Sequence, residues 1–159
     1  MILNTKYQPA FTLIELLVTT SIIMLIAGFG LASWQTFNQQ QTLDAAAQDL
    51  KNNLRLARSW AMVVKKVACA GKIAAGYEVD FNVDNGDVKG YRFREKCADG
   101  SSSAWQNFFY PAGVADNYDG SFIFAPLTGT KDPPGDIEII LSLSGREKKV
   151  FIKANGAIE

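Results

Sequence analysis

The sequence predicts an α+β chain: a long N-terminal α-helix, membrane-embedded in its first half, packed on a C-terminal antiparallel β-sheet head. Three observations carry this. Apolar residues concentrate between Phe11 and Trp34 around a single charge, apolar positions recur at three-and-four spacing from Leu43 to Ala61, and the rest alternates in short runs punctuated by turn residues. The segments that follow are 1–10, a leader; 11–34, a hydrophobic helix; 35–66, the amphipathic second half of that helix; and 67–159, a globular β-rich head.

From Leu16 to Leu31 the chain carries no charge, and the hydroxyls of Thr19, Thr20 and Ser21 can bond back to helix carbonyls. At about 1.5 Å per residue, a helix from Phe11 to Trp34 crosses a hydrocarbon layer of about 30 Å, with Trp34 suited to the far interface. Glu15 is the exception. A carboxylate there costs roughly 2.5–3.5 kcal/mol on insertion scales, so it requires a partner. An ordinary secretory signal fits poorly, since Lys6 is the only basic residue ahead of the apolar run and no small-residue cleavage site follows promptly. A cut between Ala10 and Phe11 instead exposes a new amino group at Phe11, four residues before Glu15. In a bundle of such helices, that amine and the carboxylate of a neighbouring copy neutralise one another.

The string Pro9-Ala10-Phe11-Thr12-Leu13-Ile14-Glu15-Leu16-Leu17-Val18 resembles the type IV prepilin leader and processing motif. The resemblance implies cleavage before Phe11 by a prepilin peptidase, methylation of the exposed Phe11 amine, and a role for Glu15 in setting subunit register within a filament. Two departures stand out. Ala10 occupies the position of the usual Gly, which permits backbone conformations that Ala resists. Ala32 stands where many major pilins carry a helix-weakening Pro, with Gly28 and Gly30 just before it.

After Trp34, the positions Leu43, Ala46, Ala47, Leu50, Leu54, Ala57 and Ala61 predict an amphipathic helix that lies on the head, with no stop signal before Lys65. In the head, Tyr77–Val83 and Lys89–Lys96 flank Asp84-Asn85-Gly86-Asp87 and predict a hairpin. Further strands are expected at Trp105–Tyr110, Ser121–Phe124, Ile137–Leu143 and Lys148–Ala154, with a turn at Gly145 and an exposed loop over Lys131–Gly135. Leu54-Arg55-Leu56-Ala57-Arg58-Ser59, Phe122–Gly129 and the C-terminal stretch from Ser144 are similar to minor pseudopilins of the GspH/FimT type.

Composition narrows the chemistry. Sixteen basic and sixteen acidic side chains leave no long-range field for nucleic acid, and the lack of His removes the commonest general base and zinc ligand. No string places a nucleophile beside a base, so no enzyme, cofactor or metal is expected. Cys69 and Cys97 are expected to pair in a disulfide if the head lies outside the cytoplasm, the alternative being two buried thiols. Arg55 and Arg58 read as solvated or paired with nearby acids. Arg146, Lys148, Lys149 and Lys153 form a basic cluster that can meet DNA phosphates, although strand alternation splits it between two faces. Asp80, Asp84, Asn85 and Asp87 read as a solvated turn before a calcium site, and Trp105, Phe108, Phe109 and Tyr110 as core before an adhesive patch.

The expected function is therefore a filament subunit, a minor pilin or pseudopilin of a type IV pilus or type II secretion filament. It is expected in the bacterial cytoplasmic membrane before assembly, N-terminus inside and head outside, an orientation with which Lys6 agrees. The partners implied by the resemblance are other pilin subunits, prepilin peptidase, an inner-membrane assembly platform and membrane lipid. The rival reading is a DNA- or surface-binding subunit at a filament tip.

Overall fold

The computed structural model describes residues 11–63, 73–84, 86 and 88–159, without the side chains of residues 29–33. Two compact units divide the chain between Asn38 and Gln39. Helix α1 runs Leu13–Val63, its last residues in the second unit. The helix end expected near Lys65 lies outside the described residues.

In the first unit, Thr12 caps α1. Its hydroxyl accepts the Glu15 N–H at 3.3 Å, and its carbonyl accepts the Leu16 N–H at 3.2 Å. Thr12-x-x-Glu15 has the spacing of a capping box, with an acid in the first turn where the helix dipole favours one. Thr19, Thr20 and Ser21 bond back to the carbonyls of Leu16 and Leu17 at 2.8–3.1 Å, which satisfies their hydroxyls without any outside partner.

The second unit holds the hydrophobic core. All seven apolar positions of the amphipathic stretch, from Leu43 to Ala61, are buried in it, with Leu50, Leu54 and Ala57 completely enclosed. Two antiparallel sheets supply the rest. One is five-stranded, in the order β3 (Gln106–Phe109), β2 (Lys89–Cys97), β1 (Ala74–Asp84), β5 (Ser121–Phe124), β6 (Lys131–Asp132). The other is three-stranded, in the order β4 (Ala115–Asp116), β7 (Ile137–Leu143), β8 (Arg146–Ile152).

Alternation decides which side chains face inward. Val79 and Phe81 on β1, Tyr91 and Phe93 on β2, and Phe122 and Phe124 on β5 enter the core, while Glu78, Asp80, Arg92 and Arg94 line the other face. The aromatic rings interlock: Phe122 meets Phe124 edge to face at 5.3 Å, and Tyr91 stacks on Phe108 at 5.5 Å. Gly90 is required where β3 docks, since a Cβ there would lie 2.2 Å from the Phe108 carbonyl oxygen.

The antiparallel β-sheet head comprises these two sheets, and a two-residue strand forms one edge of each, β6 in the first and β4 in the second. The predicted β1–β2 hairpin forms, with Asp84 Oδ1 accepting the Gly86 N–H at 2.9 Å; Asn85 and Asp87 lie outside the described residues. The last strand starts two residues earlier than expected. Ser144 and Gly145 both have positive φ, 50° and 80°, the conformation of a two-residue type I′ turn, so Arg146 pairs at once with Leu143. The expected exposed loop at Lys131–Gly135 needs correction at its start: Lys131 is buried, its ammonium donating to the Pro133 carbonyl and sitting 5.8 Å from the Phe122 ring centre.

Candidate functional site

The candidate site is the start of α1. Phe11, Leu13, Ile14, Leu16, Leu17 and Val18 are all exposed, as are Ile22 through Ile26. Because consecutive residues point about 100° apart around a helix, exposure at successive positions means an apolar surface on every side. That surface carries one acid, Glu15. Trp34 and Phe37, also exposed, extend the apolar side chains beyond it. Among the described residues no helix is long and apolar enough to cross a membrane; the expected span 11–34 includes residues 29–33, whose side chains are outside the description. The leader 1–10, with Ala10, also lies outside it, so the backbone at the expected cut carries no structural statement.

The basic cluster near the C-terminus is largely neutralised. Lys148 pairs with Asp44 at 2.7 Å, Lys149 with Glu138 at 2.6 Å, and Lys153 with Asp136 at 3.3 Å. Arg146 donates to the Gln40 amide oxygen at 3.4 Å. The cations are also divided: Arg146 and Lys148 turn toward α1, whereas Lys149 lies with Glu138 on the opposite face of the β7–β8 hairpin. Glu138 raises the Lys149 pKa, and the Ala154 N–H, followed by Lys153, holds Asp136 below the usual carboxylate range.

Arg55 is exposed and Arg58 half-buried, and both reach backbone carbonyls rather than only solvent. Arg55 donates to the Ile158 carbonyl at 3.1 Å, and Arg58 donates to the carbonyls of Gly129 and Asn155 at 3.2 and 3.1 Å. The two arginines tie α1 to the β5–β6 loop and the C-terminal segment. Gly156 is obligatory beside them, because a Cβ there would lie 2.0 Å from the Gly129 carbonyl oxygen.

The remaining candidates resolve into packing. Asp80 pairs with Arg92 at 2.7 Å, and Asp84 closes its turn; among the described residues no group of acids could hold a metal ion. Trp105 covers the guanidinium groups of Arg92 and Arg94 at 4.3 and 4.1 Å. Phe108 and Tyr110 join the core, and Phe109 is exposed. Cys97 is disulfide-bonded; Cys69, the other cysteine of the chain, lies outside the described residues.

Sequence reasoning missed a buried polar group. Asp116 is nine-tenths buried and accepts the Tyr118 N–H at 3.1 Å through Oδ1, while Oδ2 and the Tyr110 hydroxyl are buried together, their side chains close enough to interact. Burial pushes the Asp116 pKa up, and burial together with the Asp116 charge pushes Tyr110 up. Tyr91 is buried as well and is raised to about 12, although its hydroxyl accepts the Asn53 amide at 2.8 Å. The run Asn107–Tyr110 gave no hint of this, because the acid arrives from a two-residue strand.

Residues 5–31 match the family model described as the prokaryotic N-terminal methylation motif. No curated protein and no solved structure matches the chain. The matched span takes in Ala10, Phe11 and Glu15, so the chain carries a prepilin-type processing signal of the type IV pilin kind.

Proposed function

We propose that this chain is a minor pilin or pseudopilin that joins a helical filament through the first half of α1. The observation that carries the reading is a methylation motif whose helix is apolar on every side around one acid. A monomer in water has no use for such a surface, and its large exposed side chains are satisfied either by lipid or by a bundle of similar helices.

The mechanism follows from two chemical states of one segment. Before processing, the chain rests in the cytoplasmic membrane with its head outside. Cleavage between Ala10 and Phe11 creates an amino group, which is methylated and stays cationic. Extraction into the filament then exchanges lipid contacts for helix contacts, while the Phe11 amine meets Glu15 of a neighbouring copy. Helix burial supplies cohesion and the charge pair supplies register, because one carboxylate in an apolar bundle can be satisfied at only one offset. Thr12 holds the Glu15 backbone as an N-cap, which keeps the first turn formed and the carboxylate at a fixed place along the helix.

The head is a self-contained unit with three of its four C-terminal cations paired to acids, which favours a structural role over DNA capture. The GspH/FimT likeness of the head supports a minor rather than a major subunit. The test is Glu15→Ala in cells assembling filaments. Membrane insertion and head folding are expected to persist while incorporation falls. Incorporation at the wild-type level would sink the reading.

A further inference from the structure

We propose that residues 154–159 are a closing strap: they fasten α1 to both sheets, and the head acquires its fold only when this segment, which follows every described strand in the chain, has docked. Among the described residues no ladder joins the five-stranded sheet to the three-stranded one, although both feed the same core. The strap links them. The Lys131 N–H of β6 donates to the Ala154 carbonyl at 3.1 Å, while the Ala154 N–H donates to Asp136, just ahead of β7, at 2.9 Å. Phe151 near the end of β8 exchanges two hydrogen bonds with Glu159 at 3.0–3.1 Å, and the Lys153 N–H donates to the Ala157 carbonyl at 2.8 Å.

Packing holds the strap between these links. Ile158 is buried in the core, and its carbonyl accepts from Arg55 of α1. One turn along the helix, Arg58 donates to the Asn155 carbonyl, and between them Gly156, with φ of 79°, presses on the Gly129 carbonyl of the β5–β6 loop. An ordinary chain end frays at little cost. Fraying here would uncover Ile158, strip two guanidinium groups of carbonyl partners and take the acceptor from the N–H of Lys131, a buried residue. Because those losses fall on α1 and on both sheets at once, the strap opens with the head and not before it. A chain still being made, with 154–159 not yet added, therefore holds strands that have not closed around the core. This order of events does not depend on the filament reading.

Native-state hydrogen exchange on the full chain in detergent micelles tests this. In the wild type, the amides of Phe151, Lys153 and Glu159 should exchange as slowly as those of the β1–β2 and β7–β8 ladders, all through one global opening. Ile158→Asp should speed exchange in both ladders by the same factor as in the strap. Where that variant leaves no folded protein to measure, Ile158→Ala is read in the same way. Strap amides that exchange much faster than the ladders in the wild type, or a variant that loosens the strap alone, would reveal an ordinary frayed end and overturn the proposal.

Discussion

Arg58→Ala distinguishes an arginine that holds the head together from one that is merely solvated. Its guanidinium donates to the carbonyls of Gly129 and Asn155, which lie on two loops far apart in sequence. A hydrogen bond from a charged donor is worth about 1.5–3 kcal/mol, and both bonds here are partly or fully open to solvent, so their combined loss comes to about 2 kcal/mol. A solvated surface arginine costs under about 0.5 kcal/mol on removal. With a urea dependence of about 2 kcal/mol per molar for a domain of this size, the midpoint should fall by about 1 M. The assay is urea unfolding of the full chain in detergent, followed by tryptophan fluorescence. Arg58→Lys should recover only part of the loss, since a single ammonium cannot reproduce the fork that reaches both carbonyls. A midpoint unchanged within about 0.2 M would refute the clamp and restore the solvated reading.

Other consequences follow from the same packing. Leu54→Ala, at a position with no exposure, should cost about 3 kcal/mol of head stability, measured in the same unfolding experiment, and leave processing at Phe11 intact. Asp116→Asn should flatten the pH dependence of stability. Burial raises the folded-state pKa of Asp116 above the ordinary 3.8, so its contribution is full below that value and is lost as pH rises through the folded pKa. Unfolding curves between about pH 4 and 7 should show the wild type losing stability relative to the variant as pH rises; parallel curves would exclude Asp116 as the cause. Glu15→Ala should lower filament incorporation without changing the midpoint of head unfolding, as read by immunoblotting of sheared filaments beside the urea curve.

Much of the architecture was legible in the sequence because it depends on neighbours a few residues away. The seven apolar positions from Leu43 to Ala61 are all buried, because three-and-four spacing places them on one helix face whatever they meet there. Ser121–Phe124 and Ile137–Leu143 form strands with the expected bounds. What escaped depends on distant chain. A two-residue strand such as β4 carries no periodicity, and it exists because Ser142 and Leu141 lie alongside it. Lys131 looked like loop surface but is buried because the chain returns past Ala154, whose carbonyl accepts the Lys131 N–H at 3.1 Å. Arg55 and Arg58 have carbonyl partners that no local pattern announces, 71 to 103 residues away.

At the candidate site the balance is reversed. The Phe11–Glu15 spacing was legible at once, because both residues belong to one short motif within a single span of chain. The structure adds the Thr12 cap and the exposure of apolar side chains all round the helix. The basic cluster went the other way, since its partners Asp44, Glu138 and Asp136 were ordinary surface acids until the fold set them beside Lys148, Lys149 and Lys153.

The central claim is that the first half of α1 is unmasked by a cut before Phe11 and then used for assembly. Mass spectrometry of the N-terminal peptide, from protein isolated from native membranes and filaments, tests it most directly. The expected result is a chain that begins at N-methylated Phe11 and retains the helix behind it. A chain that still begins at Met1, or one cut beyond the apolar run so that α1 loses its first half, would contradict it.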